Sequence, residues 1–60
     1  MCEATAYLMS SGKEIMRDVV LVEVHGKHLT FRDIIGNEKK LQARINKIDL
    51  LQHKVAVEEF

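Results

Sequence analysis

The 60-residue sequence has no proline, no tryptophan and a single cysteine, Cys2. With one cysteine no disulfide can form within the chain, so a covalent cross-link cannot stabilise the fold. A chain of this length buries only about 60% of its unfolded surface, which is close to the lower limit for unaided folding. We therefore expect one domain spanning residues 1–60. It would be supported by a bound metal, by unusually good packing or, as we favour, by a second copy in a homodimer.

An excess of one charge and long apolar runs are also missing. Nine basic and nine acidic residues give a formal charge of zero, so the chain lacks the positive field on which most nucleic-acid binding depends. No segment approaches the roughly 20 apolar residues of a membrane span, and Glu3 interrupts any signal-peptide pattern. No HExxH or CxxC motif, phosphate-binding glycine loop or spaced nucleophile and base is present. These absences predict a cytoplasmic protein that is not an enzyme and has no membrane partner. They also argue against nucleic-acid binding.

Alternating apolar and polar residues indicate strands in the first half of the chain. Between Cys2 and Met9 the small apolar side chains share one face, which predicts a first strand. Residues 18–34 contain two β-rich runs joined by Gly26-Lys27, which predicts a hairpin with a type II′ turn. In that register Val24 lies opposite Leu29, Val22 opposite Phe31, Glu23 opposite Thr30, and His25 opposite His28.

Residues 38–51 fit two secondary structures. Four apolar side chains recur at helical spacing behind an asparagine N-cap, which predicts a helix and hence an α+β fold. Three apolar side chains also alternate, which predicts a strand and hence an all-β fold, a small antiparallel β-meander or barrel. The helical set is Leu41, Ile45, Ile48 and Leu51, and the alternating set is Leu41, Ala43 and Ile45. Periodicity alone leaves both alternatives open.

Cys2 is the one side chain with distinctive metal chemistry. A cysteine near the chain terminus offers a thiolate sulfur and a backbone or terminal nitrogen in one five-membered chelate. Two copies meeting at a two-fold axis would present two sulfurs and two nitrogens, a square-planar set that suits Ni(II) or Cu(II), whereas Zn(II) prefers a tetrahedral one. The nitrogen is a free amine if Met1 is removed and a deprotonated amide if Met1 is kept. The alternative is that Cys2 is a small hydrophobe on the same face as Ala4 and Ala6.

His25 and His28 form a second candidate metal site. The predicted hairpin places them opposite each other near its tip, on the more polar face. Two imidazoles alone leave a metal site incomplete, and the sequence offers no evident third ligand, so solvated histidines are the alternative.

Three parts of the sequence resemble the CooT family. They are Met-Cys-Glu-Ala-Thr-Ala-Tyr-Leu at 1–8, Asp-Val-Val-Leu-Val-Glu at 18–23, and Ala-Arg-Ile-Asn-Lys-Ile-Asp-Leu-Leu at 43–51 followed by Val-Ala-Val-Glu-Glu at 55–59. The Met-Cys start is the specific element, whereas the valine-rich hairpin is generic. The resemblance extends over essentially the whole chain, so the single domain is identified as a CooT-like domain.

This resemblance implies both a fold and a function. Members of the family are small all-β homodimers, and the namesake is a nickel-binding accessory protein for the maturation of carbon monoxide dehydrogenase. By resemblance, Cys2 of both subunits binds one shared Ni(II), and the protein is a nickel carrier, or metallochaperone, for a nickel enzyme such as that dehydrogenase. The resemblance also favours strands over a helix for residues 38–51. Two alternatives stay open: a small β-barrel that binds RNA through the basic stretch at 39–47, and an interaction module in which Cys2 is structural.

Overall fold

A computed structural model describes residues 3–60, which form five strands and no helix. The strands are β1 (Ala4–Leu8), β2 (Glu14–His25), β3 (His28–Asp33), β4 (Glu38–Asp49) and β5 (Lys54–Glu59). Each strand pairs with the next in antiparallel orientation, and β5 closes the barrel by pairing with β1 in parallel. The predicted all-β barrel is confirmed, and the alternative of an α+β fold with a helix at 38–51 is wrong. The homodimer, which concerns a second chain, stays a prediction.

A bulge in β4 explains why this strand resembles a helix in sequence. Alternate side chains from Leu41 to Ile45 pack against the core, but the pairing with β5 then skips one residue. The extra residue lengthens the next step from two positions to three, so that Ile48 pairs with the buried Val55. The spacings of four and three that suggest a helix are therefore two strand repeats followed by a bulge. Leu51, the last member of the helical pattern, lies in the β4–β5 turn.

The β2–β3 hairpin has the predicted register and turn. All four predicted cross-strand pairs are observed. Gly26 has a φ of 59°, the left-handed conformation that the first central position of a type II′ turn requires. The predicted apolar face is only partly buried, because Leu29 is inaccessible whereas Val24, opposite it, is 61% exposed. The hairpin tip thus extends beyond the core.

The hydrophobic core is small, although all five strands contribute to it. The buried hydrophobic side chains of the described residues are Ala6, Val19, Leu29, Phe31, Ala43, Val55, Ala56 and Val57. Three of these eight are alanines, so few large apolar groups are buried. Within the same part of the chain, no helix is long and apolar enough to cross a membrane.

The Asp33 carboxylate stabilises the β3–β4 turn. It accepts hydrogen bonds from the backbone N–H of Ile35 (3.1 Å), the backbone N–H of Asn37 (2.8 Å) and Nδ2 of Asn37 (2.9 Å). Partial burial by itself raises the pKa of Asp33. The hydrogen bonds from Asn37, Ile35 and Gly36 together lower the pKa by more than burial raises it, so the net shift is downward. The turn is therefore held best when Asp33 is ionised.

We expect the Asp33→Asn variant to lose less stability than the wild type when the pH is lowered from neutral into the acid range. Folding lowers the pKa of Asp33 below its unfolded value of about 3.9, so the carboxylate stabilises the protein above that pH, and the stabilisation is lost as the pH falls through the folded pKa. The melting temperature of D33N should lie below that of the wild type at neutral pH, and the difference should narrow between about pH 5 and about pH 2. Thermal unfolding followed by circular dichroism at several pH values measures this difference.

Asp49→Asn is the matched control, because the Asp49 side chain accepts one backbone hydrogen bond, from Gln52 (2.9 Å), in the other long turn. Its melting temperature at neutral pH should fall less than that of D33N, because only one hydrogen bond is lost. If the melting temperature of D33N stays below that of the wild type by the same amount down to acid pH, the ionised Asp33 carboxylate does not stabilise the turn.

Candidate metal centre

The start of β1 lies between two turns at one end of the barrel. On one side Ala4 is paired with Val19 of β2, and Val19 is paired in turn with Asp33, where the β3–β4 turn begins. On the other side the backbone N–H of Thr5 donates to the carbonyl of His53 (2.9 Å), at the end of the β4–β5 turn. Both turns therefore flank the first strand at the point where it enters the barrel.

Ala4 lines an open groove at this end of the barrel. The groove has a volume of about 300 Å³ and is mostly apolar. Ile48, Leu50 and Val55 supply its aliphatic wall. The other lining residues are Asp49, His53 and Lys54. The start of β1 therefore borders a mostly apolar groove whose lining also includes ionisable side chains.

Cys2, the predicted metal ligand, lies outside the described residues. It precedes Ala4 by two positions in the sequence, so the structure bears on this prediction only through the surroundings of β1. Within residues 3–60, no three His, Cys, Asp or Glu side chains lie close enough together to hold a metal ion. The metal site at Cys2 stays a prediction.

His25 and His28 are directly paired at the hairpin tip, and both are exposed. Their rings contact different neighbours. Nε2 of His25 lies 3.8 Å from a carboxylate oxygen of Glu23, and Nε2 of His28 lies 3.4 Å from Nε2 of Gln42. No third metal ligand joins them in the part of the chain that the structure describes. The second metal site therefore also stays a prediction.

One basic residue of β4, Arg44, has an acidic partner, whereas the three lysines of this strand belong to no ion pair formed within residues 3–60. Arg44 forms an ion pair with Glu58 (3.1 Å), which also accepts a hydrogen bond from Nδ2 of Asn46 (2.7 Å). The hydrogen bonds from Asn46 and Arg44, with the attraction of Arg44, lower the pKa of Glu58 and keep it ionised beside the guanidinium. Glu38, at the start of β4, pairs with Arg32 in the same way. These pairings weaken the positive field that the RNA-binding alternative needs.

Sequence reasoning missed the exposed aliphatic residues of the two turns. Ile34 and Ile35 in the β3–β4 turn and Leu50 and Leu51 in the β4–β5 turn are all exposed. Together with Ile48, which is also exposed, we call these residues the apolar end. The signal in the sequence is two adjacent aliphatic residues inside a segment that must turn, where glycine and polar residues are usual.

Known proteins of similar sequence match almost the entire chain. A family model described as "CO dehydrogenase accessory protein CooT" matches residues 1–58. The matched region contains Cys2, the first strand and both turns of the apolar end.

Individual relatives match over a similar length. An uncharacterized protein of Methanocaldococcus jannaschii is 34% identical over 58 residues, which are 97% of this chain and 98% of that protein. Another, from Methanothermobacter thermautotrophicus, is 31% identical over 58 residues, which are 97% of this chain and 89% of that protein. The crystal structure of a protein assigned as a CooT, from Carboxydothermus hydrogenoformans, matches with a TM-score of 0.91 over 98% of both chains, at 23% identity. This structural likeness shows that the two chains share a fold.

Proposed function

This chain belongs to the CooT family of carbon monoxide dehydrogenase accessory proteins, and from this we propose that it is a nickel(II) carrier in which two copies share one ion through Cys2. The family description gives an accessory role toward that dehydrogenase, which suits an auxiliary protein rather than an enzyme. Our proposal adds three points to this family description: nickel is the cargo, Cys2 is the ligand, and two chains share the site.

The proposal rests on the family match, because the match includes the Met-Cys start. A thiolate sulfur and an adjacent nitrogen form one chelate, and two such chelates fill the four positions of square-planar Ni(II). One chain supplies only half of this ligand set. The ion would therefore bind tightly only where the first residues of two chains meet.

The surroundings of β1 support such an arrangement. Ala4 has a small side chain and borders the open groove beside Ile48 and Leu50, which leaves room for a second chain at this end. Aliphatic walls exclude water from a neighbouring ion, and the lower local dielectric strengthens the attraction between a thiolate and a cation. A groove of this kind would protect a bound ion from competing ligands in solution.

A site that two chains share also suits a carrier. Because separation of the chains halves the ligand set, a client protein that displaces one of the two chains would release the ion. Cu(II) binds such ligands more tightly than Ni(II), so nickel selectivity would have to come from the metals available in the cell rather than from this ligand set.

We expect nickel to strengthen the dimer, with one ion bound per two chains. At a free Ni(II) concentration of about 100 times its dissociation constant, the dimer should gain about 2.7 kcal/mol, which is roughly a hundredfold in its dissociation constant. Sedimentation velocity with and without Ni(II) measures the dimer, and isothermal titration measures the stoichiometry. One ion per chain, or a dimer that nickel does not strengthen, would contradict the shared site.

The RNA-binding alternative predicts a different dependence on salt and on nickel. A small barrel that binds RNA should show an affinity for RNA that falls with rising salt and does not depend on nickel. Fluorescence anisotropy of a labelled single-stranded RNA, measured at several salt concentrations with and without Ni(II), distinguishes the two functions.

A further inference from the structure

Another open cleft lies on the outer surface of the barrel, where β1 runs between β2 and β5. We call it the polar cleft. Its volume is about 630 Å³, which is larger than that of the groove beside Ala4. Every lining residue except a glycine carries a hydroxyl or a charge, and the set is Thr5, Tyr7, Gly12, Glu14, Arg17 and Lys54. The polar cleft is therefore suited to a polar ligand rather than an apolar one.

Irregular pairing between β1 and β2 brings Glu14 and Arg17 to the same side of the sheet. In a regular strand, residues three positions apart point to opposite faces. The register between β1 and β2 shifts twice along this stretch, and the adjacent residues Ile15 and Met16 both pack against the core. Glu14 and Arg17, on either side of them, therefore both line the polar cleft, and Nε of Arg17 donates to both carboxylate oxygens of Glu14 (2.9 and 3.0 Å).

This ion pair leaves most of the Arg17 guanidinium available to a ligand. Nε is its one nitrogen with a hydrogen-bond partner among residues 3–60. The two terminal amino groups keep the remaining N–H donors, in the planar arrangement that matches a carboxylate or a phosphate. The side chain is 75% exposed, so a ligand can reach these donors. Glu14 acts as a positioning residue that holds the guanidinium through Nε.

Lys54 supplies a second cation to the polar cleft. It is paired with Thr5 across the parallel β1–β5 pairing, and it belongs to no ion pair formed within residues 3–60. Two cations and one carboxylate give the lining a formal charge of +1. The hydroxyls of Thr5 and Tyr7 are further hydrogen-bond donors, and the Tyr7 ring offers an apolar surface beside them.

We propose that the polar cleft binds a small organic anion, whose carboxylate or phosphate group is held by Arg17 and Lys54. Its volume lies within the range of about 300–1,000 Å³ that is typical of small-molecule sites. This volume exceeds the size of the anionic group alone, so the ligand has an organic body, which lies against Tyr7. The inference goes beyond the proposed function, because it involves neither nickel nor Cys2.

The backbone beside both cations supports this assignment. Asp18, which follows Arg17, and His53, which precedes Lys54, both have a φ of 56°. They are the two non-glycine residues of the described part of the chain with a positive φ. Rare backbone conformations of this kind are found most often at ligand-binding sites and active sites.

Titration of the full chain with benzoate and with phenyl phosphate, followed by ¹H–¹⁵N NMR, tests the site. Neutral benzamide is the matched probe. We expect at least one of the two anions to give saturable shifts centred on the amides of Tyr7, Gly12 and Lys54, with a dissociation constant that rises with salt, and benzamide to give none. The anion that binds more tightly identifies the group. Shifts spread evenly over the surface, or the same shifts with benzamide, would overturn the proposal.

Arg17→Gln and the matched control Arg32→Gln test the role of the guanidinium. Both arginines are exposed and each pairs with one glutamate, but Arg32 does not line the polar cleft. R17Q should weaken anion binding at least about tenfold, because the charge-assisted hydrogen bonds are lost, and R32Q should stay within about twofold of the wild type. Lys54→Gln should also weaken binding. Thermal unfolding should show all three variants folded, since the replaced side chains are exposed. Unchanged binding by R17Q, or an equal loss in R17Q and R32Q, would overturn the site.

Discussion

Replacing Cys2 with serine should abolish nickel binding. Serine has nearly the same shape as cysteine, but its hydroxyl does not ionise near neutral pH and is a harder ligand than a thiolate. Each dimer would lose both sulfur ligands at once. We expect the affinity for Ni(II) to fall by more than about a hundredfold, and the thiolate-to-nickel charge-transfer absorption to disappear.

Absorption spectroscopy during a nickel titration of the two proteins measures both quantities. The matched control is the double substitution of His25 and His28 by alanine, which removes the second candidate site and keeps Cys2. This control should bind nickel like the wild type. If C2S binds as tightly as the wild type, the site at Cys2 is wrong, and if only the histidine variant loses the metal, nickel binds at the hairpin tip instead.

Replacing Phe31 with alanine should have the largest effect on stability. Phe31 is fully buried and is among the largest side chains of the core. Truncating a buried phenylalanine costs about 3–5 kcal/mol, which is a large part of the roughly 5 kcal/mol expected at the lower end for small domains. The melting temperature should therefore fall by more than about 12 °C, and a substantial fraction of the protein should be unfolded at room temperature.

Phe60→Ala is the matched control for this loss. The Phe60 side chain is 64% exposed, and its ring has Nζ of Lys27 at 5.9 Å from the centroid. An exposed cation–π contact contributes about 0.5–1 kcal/mol, so the control should lose only that amount. Urea unfolding of the metal-free proteins, followed by circular dichroism, compares the two variants. If both variants lose a similar free energy of unfolding, the burial of Phe31 does not stabilise the core as proposed.

The success of the sequence predictions varies along the chain for physical reasons. The β2–β3 hairpin was predicted down to its register, because a two-residue turn at Gly26-Lys27 and a period of two leave little freedom. β4 was ambiguous, because the bulge after Ile45 adds one residue and changes the spacing of its apolar side chains. Such a bulge depends on the partner strand, which local periodicity does not contain.

For the candidate site too, some features can be predicted from the sequence and others cannot. The prediction that Cys2 is a metal ligand comes from the side chain and its place in the sequence alone, and it stays a prediction. The groove beside Ala4 cannot be predicted in this way, because its aliphatic wall comes from Ile48, Leu50 and Val55, more than forty positions away in the sequence. Only the parallel pairing of β1 with β5, which closes the barrel, brings these segments together.

The sequence by itself thus determined the strand-forming pattern, the hairpin register, the zero net charge and the presence of one thiol, since these depend on residue type and near neighbours. Tertiary structure decided that β4 is a strand, which the periodicity had left open, that Val24 is exposed, and that Ile34, Ile35, Leu50 and Leu51 lie in turns that flank the start of the first strand. The reason is that burial and proximity depend on how the barrel closes, and closure joins residues that are far apart along the chain.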